Sequence, residues 1–185
     1  LVSFRHRHLA AISYEVTLLD DEAPVIISSE VRHEEGRSED NGDPRRARGF
    51  RGRVLVPQVN YVRDWRVCLA HRTRRSDLRL ACAVEHALET DCPHTVESSG
   101  SENAGRVVFS LIGQPNRPIR LTKYMSYHSS PSAPPRELCE RAERTLDRAA
   151  AAGLDELLLS QRQFMDEFWH RSDIEVQGDS AVALR

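Results

Sequence analysis

Along the first 130 residues, apolar side chains recur at alternate positions; beyond Pro135 they recur every third or fourth position. In residues 9–19, Ile12, Tyr14, Val16 and Leu18 alternate with Ser13, Glu15 and Thr17. That spacing predicts a half-buried strand with the first set inward and the second set wet. Residues 24–31 form a second strand candidate, reached through the polar turn Asp20-Asp21-Glu22. Further strand signals lie at 53–56, 65–71, 78–86, 105–112 and 118–127, with a Gly/Pro/Asn turn at 113–117. Residues 33–52 hold almost nothing apolar and read as a long solvated loop; 91–104 read as another polar connection. Six or seven strands without helical crossovers predict a mainly β chain, an antiparallel β-sandwich that is incomplete, and exclude a parallel doubly wound sheet.

The Ser/Pro stretch 129–135 marks a change of period. Pro135 suits a first helical turn, and Leu138, Ala142, Leu146 and Ala149 make one apolar stripe ending at Gly153. A second helix follows, with Leu154, Leu157, Leu158, Gln161, Met165, Phe168 and Trp169 on one face. After an extended piece, residues 180–185 look like the first turn of a third helix, with Asp179 at or beside its N-cap. The expected organisation is a β-sandwich over 1–130, a helical linker over 131–172, and a new unit opening over 173–185.

Composition narrows the class. With 185 residues, 39% hydrophobic and 29% charged, the chain is too apolar for a disordered tail. Its 26 cations against 28 anions, a net charge of −2, disfavour a nucleic-acid binder. All the cations but Lys123 are Arg, which codon bias explains without function. No apolar run reaches the roughly 18 residues of a membrane span. The start lacks a signal-peptide core and an initiator Met, so a piece of a longer chain is expected. Cys68, Cys82, Cys92 and Cys139 show no zinc spacing. Cys68 and Cys82 read as core residues, and a reducing, cytoplasmic setting fits best.

Candidate chemistry is thin. Glu137, Glu140, Glu143 and Asp147 alternate with Arg136, Arg141, Arg144 and Arg148, the pattern of a solvated helix face with paired charges. His6 and His8, two apart, would share a strand face and could offer two metal ligands, but no third is placed. Glu85 and His86 should point to opposite faces; His71 and His128 end strands. The basic run 71–75 reads as a turn rather than a phosphate site. No GxSxG, GxxxxGK[ST], GxGxxG or HExxH element occurs. Aromatic candidates for a sugar-binding face are Phe50, Tyr61, Trp65, Tyr124 and Tyr127.

The C-terminal string Phe168-Trp169-His170-Arg171-Ser172-Asp173-Ile174-Glu175-Val176-Gln177-Gly178-Asp179, preceded by Thr145-Leu146-Asp147-Arg148-Ala149, Gly153 and Gln161, resembles the linker of glycoside hydrolase family 65. His71-Arg72-Thr73-Arg74-Arg75-Ser76, Pro118-Ile119-Arg120-Leu121-Thr122-Lys123-Tyr124, Tyr14-Glu15-Val16-Thr17-Leu18-Leu19 and the strand at 24–30 are similar to its N-terminal sandwich. The resemblance implies a phosphorylase or hydrolase of α-linked glucose disaccharides such as trehalose, maltose or kojibiose. It further implies a β-sandwich, a helical linker, a barrel of helical hairpins and a small C-terminal β domain. A Glu on the barrel would be the general acid while inorganic phosphate, the co-substrate of the phosphorylases, attacks with inversion. By the same resemblance this chain begins partway into the sandwich and stops at the first turn of the barrel, so it carries no catalytic, cofactor-binding or metal-ligating residue. The expected partners are its own barrel and, through it, an α-glucoside, with homo-oligomerisation compatible and neither nucleic acid nor membrane involved. The alternative is a free-standing carbohydrate-binding module. The stripe Leu157, Leu158, Met165, Phe168 and Trp169 separates the two: part of it exposed for a fragment, all of it buried for a complete module.

Overall fold

The computed structural model describes residues 1–33 and 54–173. Eight strands precede a helical segment: β1 (Leu9–Thr17), β2 (Ala23–Arg32), β3 (Leu55–Arg63), β4 (Arg66–Thr73), β5 (Arg79–Glu89), β6 (His94–Ser101), β7 (Ala104–Gly113), β8 (Pro118–Ser130) and α1 (Pro135–Ser172). They form an antiparallel five-stranded sheet, β1-β8-β5-β4-β3, and an antiparallel three-stranded sheet, β2-β7-β6. The small sheet covers one face of the large sheet and α1 covers the other.

The two faces of the large sheet are built from different residues. Toward α1 it presents Leu9, Ala11, Cys68, Ala70, Ala81, Ala83 and Tyr124, mostly small side chains that let a helix lie close. Toward the small sheet it presents Val67, Leu69, Ile119 and Leu121 against Val107, Phe109 and Leu111. Strand alternation sends neighbours such as Cys68 and Leu69 to opposite cores. Gly105 permits the sheets to meet, because a Cβ there would collide with the Val67 side chain.

Three strand expectations change. In β1 the buried residues are Leu9 and Ala11, while Ile12 and Tyr14 are 54% and 55% exposed. β1 is an edge of the large sheet, and the small sheet meets β3, β4, β5 and β8, leaving the expected inner face of β1 uncovered. Residues 94–101, read as a connection, are strand β6, paired with β7 from His94↔Leu111 to Ser101↔Ala104. Only Val96 of β6 turns inward, so backbone pairing rather than side-chain alternation defines the strand. The 53–56 signal extends through Pro57 to Arg63; Pro57 is tolerated because β3 is an edge strand with a register shift between Pro57 and Val59.

In α1, Pro135 occupies the first turn and the stripe Leu138, Ala142, Leu146 and Ala149 is buried. Gly153 breaks the helix with φ 79° and ψ 166°, so the two expected helices form one helical segment with a kink. Most of the predicted loop 33–52, with Phe50, and the extended piece and third-helix turn from residue 174 onward lie outside the described residues.

Candidate functional site

The first half of α1 is tied to the large sheet by one arginine. Arg66, at the start of β4, donates from Nε to Glu85 Oε2 at 2.5 Å and from Nη2 to Asp147 Oδ1 at 2.7 Å, with Glu143 Oε1 at 4.0 Å from Nη1. Burial works against its charge, yet the bonds to Asp147 and Glu85 carry Arg66 above its ordinary pKa. Beneath this seam, burial and the neighbouring Cys68 and Glu143 push the Tyr61 phenol up, and Cys139 together with burial pushes the Cys68 thiol up. Of the other helix acids, Glu137 pairs with Arg141 and Glu140 with Arg144. The helix carboxylates therefore face guanidinium groups, the arrangement of a structural seam and not of a shared-proton pair.

The histidines divide between the faces. Glu85 points to the α1 side and His86 to the sandwich interior, as their adjacency predicts. The His86 Nδ1–H donates to the Trp65 carbonyl at 2.6 Å, leaving Nε2 to accept from the Ser29 hydroxyl at 2.7 Å. Burial holds His86 below its usual pKa, and hence neutral. Its cross-strand neighbour Lys123 donates to the Glu30 carbonyl at 3.0 Å, so both fasten the edge strand β2. His6 and His8 lie in the turn before β1, not in a strand, so the shared-face reading fails. His8 instead stacks on His128, ring centroids 4.2 Å apart, and His128 Nε2 donates to Thr145 Oγ1 at 3.0 Å while that hydroxyl donates to the Arg141 carbonyl. Burial and the charges of His8, Arg141, Arg148 and Arg144 push His128 down to about 4. His71 is buried beside His33. Among the described residues, no three His, Cys, Asp or Glu side chains gather as a metal site. The run 71–75 ends β4 and enters a turn in which Asp77 pairs with Arg72 and Arg79.

Two further surface features lie among the described residues. One is a cavity of about 330 Å³ at the β3–β4 hairpin, lined by Arg63, Asp64, Trp65, Arg66 and Glu85. Trp65 is half-buried with an edge contact to Phe109, centroids 5.6 Å apart at 83°. The other described aromatics of that set do not join it in a flat platform: Tyr124 is buried, Tyr61 half-buried under Arg63, and Tyr127 exposed on β8.

The second feature is the distal half of α1. Leu157 is buried at 3% and Met165 half-buried, but Leu158, Leu159, Phe164, Phe168 and Trp169 are exposed, Trp169 by 54%. Phe4 stacks on Phe164 at 5.4 Å and its N–H donates to Gln161 Oε1 at 3.0 Å, adding the chain start to this face. Phe4 sits alone in a polar run, so nothing in the sequence flagged it. The stripe is thus neither wholly buried nor wholly free.

The profile of the glycosyl hydrolase family 65 N-terminal domain matches residues 1–168. The chain belongs to glycoside hydrolase family 65. It is 31% identical over 179 residues to an uncharacterized glycosyl hydrolase of Mycobacterium leprae, covering 97% of this chain and 22% of that protein. An α,α-trehalose phosphorylase of Thermoanaerobacter brockii is 25% identical over 182 residues, covering 98% of the chain and 24% of the enzyme. Among solved structures, a putative kojibiose phosphorylase from human microbiome shares the fold with TM-score 0.75 at 10% identity, over 91% of this chain and 20% of that one. The family 65 chain therefore spans less than a quarter of these relatives' lengths. No described helix is long and apolar enough to cross a membrane.

Proposed function

We propose that this chain is the non-catalytic sandwich and helical linker of a longer family 65 enzyme that cleaves α-glucosidic disaccharides, by inverting phosphorolysis or by hydrolysis. Its own task is architectural. The proximal half of α1 is fixed to the sandwich, and the distal half presents an apolar face on which a helical catalytic barrel packs. The observation carrying this reading is the exposed cluster Leu158, Phe164, Phe168 and Trp169 on a helix whose earlier turns are buried. Such a contiguous apolar patch marks an interaction surface. The general acid and the phosphate pocket belong to the barrel. Four free thiols, with Cys68 and Cys139 adjacent, support a reducing, cytoplasmic setting.

The test compares the 185-residue chain with the complete protein encoded by its gene. Each is incubated with trehalose, maltose or kojibiose and inorganic phosphate, reading glucose and glucose 1-phosphate. Turnover by the complete protein alone supports the reading; turnover by the 185-residue chain overturns it. Trp169 emission should shift to the blue in the complete protein, as the indole leaves water.

A further inference from the structure

The start of the chain is held on α1 at two places, and one of them can take up a proton. Residues 4–8 form an exposed turn between buried Ser3 and Leu9. The turn closes on itself: the Ser3 N–H donates to the Leu9 carbonyl at 3.0 Å, the Leu9 N–H to the His6 carbonyl at 2.9 Å, and the His6 N–H to Ser3 Oγ at 2.9 Å. Phe4 reaches the distal half of α1 at Gln161 and Phe164, and His8 reaches the proximal half through His128, which is bonded to Thr145. We infer that the His8–His128 stack is an acid-sensitive latch: it holds the turn on α1 while His128 is neutral, and a proton on His128 opens it and frees Phe4 from Phe164.

The hydrogen bonds fix where that proton goes. The His8 Nδ1–H donates to the Tyr127 carbonyl at 2.8 Å, and the Tyr127 N–H returns a bond to the His8 carbonyl at 3.1 Å. The His128 Nε2–H donates to Thr145 Oγ1, whose own proton goes to the Arg141 carbonyl. The His128 lone pair therefore sits on Nδ1, and a proton there breaks none of these bonds. What it adds is charge. From the turn, the new cation meets the His8 ring, centroids 4.2 Å away; from α1 it feels the guanidinium groups of Arg141, Arg148 and Arg144. The acids of that helix flank, Glu137 and Glu140, are already held by Arg141 and Arg144. Across from His128 on β5 stands Ala81, with Arg79 two residues on, bound to Asp77 and to the Ser132 and Ala133 carbonyls. Burial and these positive groups hold His128 at about 4, so the closed turn resists a proton that the opened one accepts near the ordinary 6.5.

The opening is confined to the turn because the holds on either side of it are stronger. From Leu9 onward β1 pairs with β8 along its whole length, from Leu9↔Ser126 to Thr17↔Pro118. Ahead of the turn, Leu1 and Ala11 exchange two backbone bonds of 2.9 Å. The turn itself meets α1 through two ring stacks and one hydrogen bond, and exposed segments held so lightly open at low cost. Phe4 belongs to the apolar face given above to the barrel; on that reading, on which this one consequence rests, acid loosens the contact between the two units.

The test is fluorine NMR of the 185-residue chain carrying fluorinated phenylalanine, with two resonances assigned by Phe4→Leu and Phe164→Leu. Both should move together as pH falls from 7 to 4, while far-UV circular dichroism of the same samples stays constant through their midpoint. Amide exchange at Ser3 and Leu9, corrected for the intrinsic effect of pH, should rise by up to about tenfold per pH unit between 6.5 and 4. His128→Gln keeps a donor for Thr145 but gains no charge, and should abolish both responses. His8→Ala, at an exposed position, should leave the Phe4 resonance at its acid position even at pH 7. Static resonances, responses that survive His128→Gln, a His8→Ala spectrum like that of the parent chain, or a dichroism transition with the same midpoint would each overturn the latch. Every readout comes from the 185-residue chain by itself, so its failure leaves the barrel-docking reading standing, and failure of that reading leaves the latch.

Discussion

The two halves of α1 carry nearly the same helical pattern and meet opposite fates. Before Gly153, Leu138, Ala142, Leu146 and Ala149 vanish into a bed of small sheet residues, Ala70, Ala81 and Ala83 among them, and Arg66 clips the helix down through Asp147. After Gly153, Leu157 alone is buried, while Leu158, Phe168 and Trp169 remain in water. The difference teaches that an apolar stripe states a need for a partner without saying where that partner is. In the proximal half it is the chain's own sheet; in the distal half Leu154 and Leu157 still reach that core and Phe4 stacks on Phe164, while Leu158, Phe168 and Trp169 stay exposed.

Substitutions sharpen the contrast. The largest effect is expected from Leu146→Ala, which empties a fully buried site and should cost about 2–5 kcal/mol by urea unfolding. Arg66→Ala should come next, on the order of 1–3 kcal/mol, because it leaves the largely buried Glu85 carboxylate without its partner. A smaller loss, about 1 kcal/mol, is expected from Gly153→Ala, where the cost is the positive φ alone, since no atom crowds the new Cβ. Phe168→Ser with Trp169→Ser should stay within about 0.5 kcal/mol in the isolated chain, and yet weaken the barrel packing proposed for the longer protein. A stability loss in the chain comparable to that of Leu146→Ala would abolish the distinction between the halves.

Acid acts on the proximal half through His128. Its folded pKa of about 4 lies below the ordinary value near 6.5, so below pH 6.5 the unfolded chain binds a proton that the folded chain refuses. The stabilisation is complete above pH 6.5 and is lost as pH falls through 4. His86, also depressed by burial, adds in the same direction at the β2 edge. Urea midpoints measured between pH 7 and 4 should fall steadily, and His128→Gln should flatten the slope.

Much of the fold was legible in the chain because strand and helix periods differ. The proximal stripe, the break at Gly153 and six of the eight described strands follow from spacing alone, together with only the first residues of β3. β6 escaped because an edge strand with one inward residue, Val96, carries no alternation to detect. The inner face of β1 was misassigned for a related reason. Alternation of Ile12 and Tyr14 with polar residues identifies two faces, but only the overhang of the large sheet decides which is covered. At the β3–β4 hairpin, Trp65 was one of five candidate aromatics the chain offered, with no sign that it would differ from the rest, whereas Glu85, distant along the chain, comes beside Arg66 only when β4 pairs with β5.

The sequence by itself determined the period of most elements, β6 excepted, the change from sheet to helix at the Ser/Pro connector, and the family. These depend on short-range sterics, on the side-chain repeat of 2.0 or 3.6 residues, and on local strings of residues. Tertiary structure alone decided that Ile12 and Tyr14 stay wet, that Phe4 reaches Phe164, and that Arg66 joins Glu85 to Asp147. Each is a long-range contact, or the want of one, and burial is a property of the neighbour as much as of the residue.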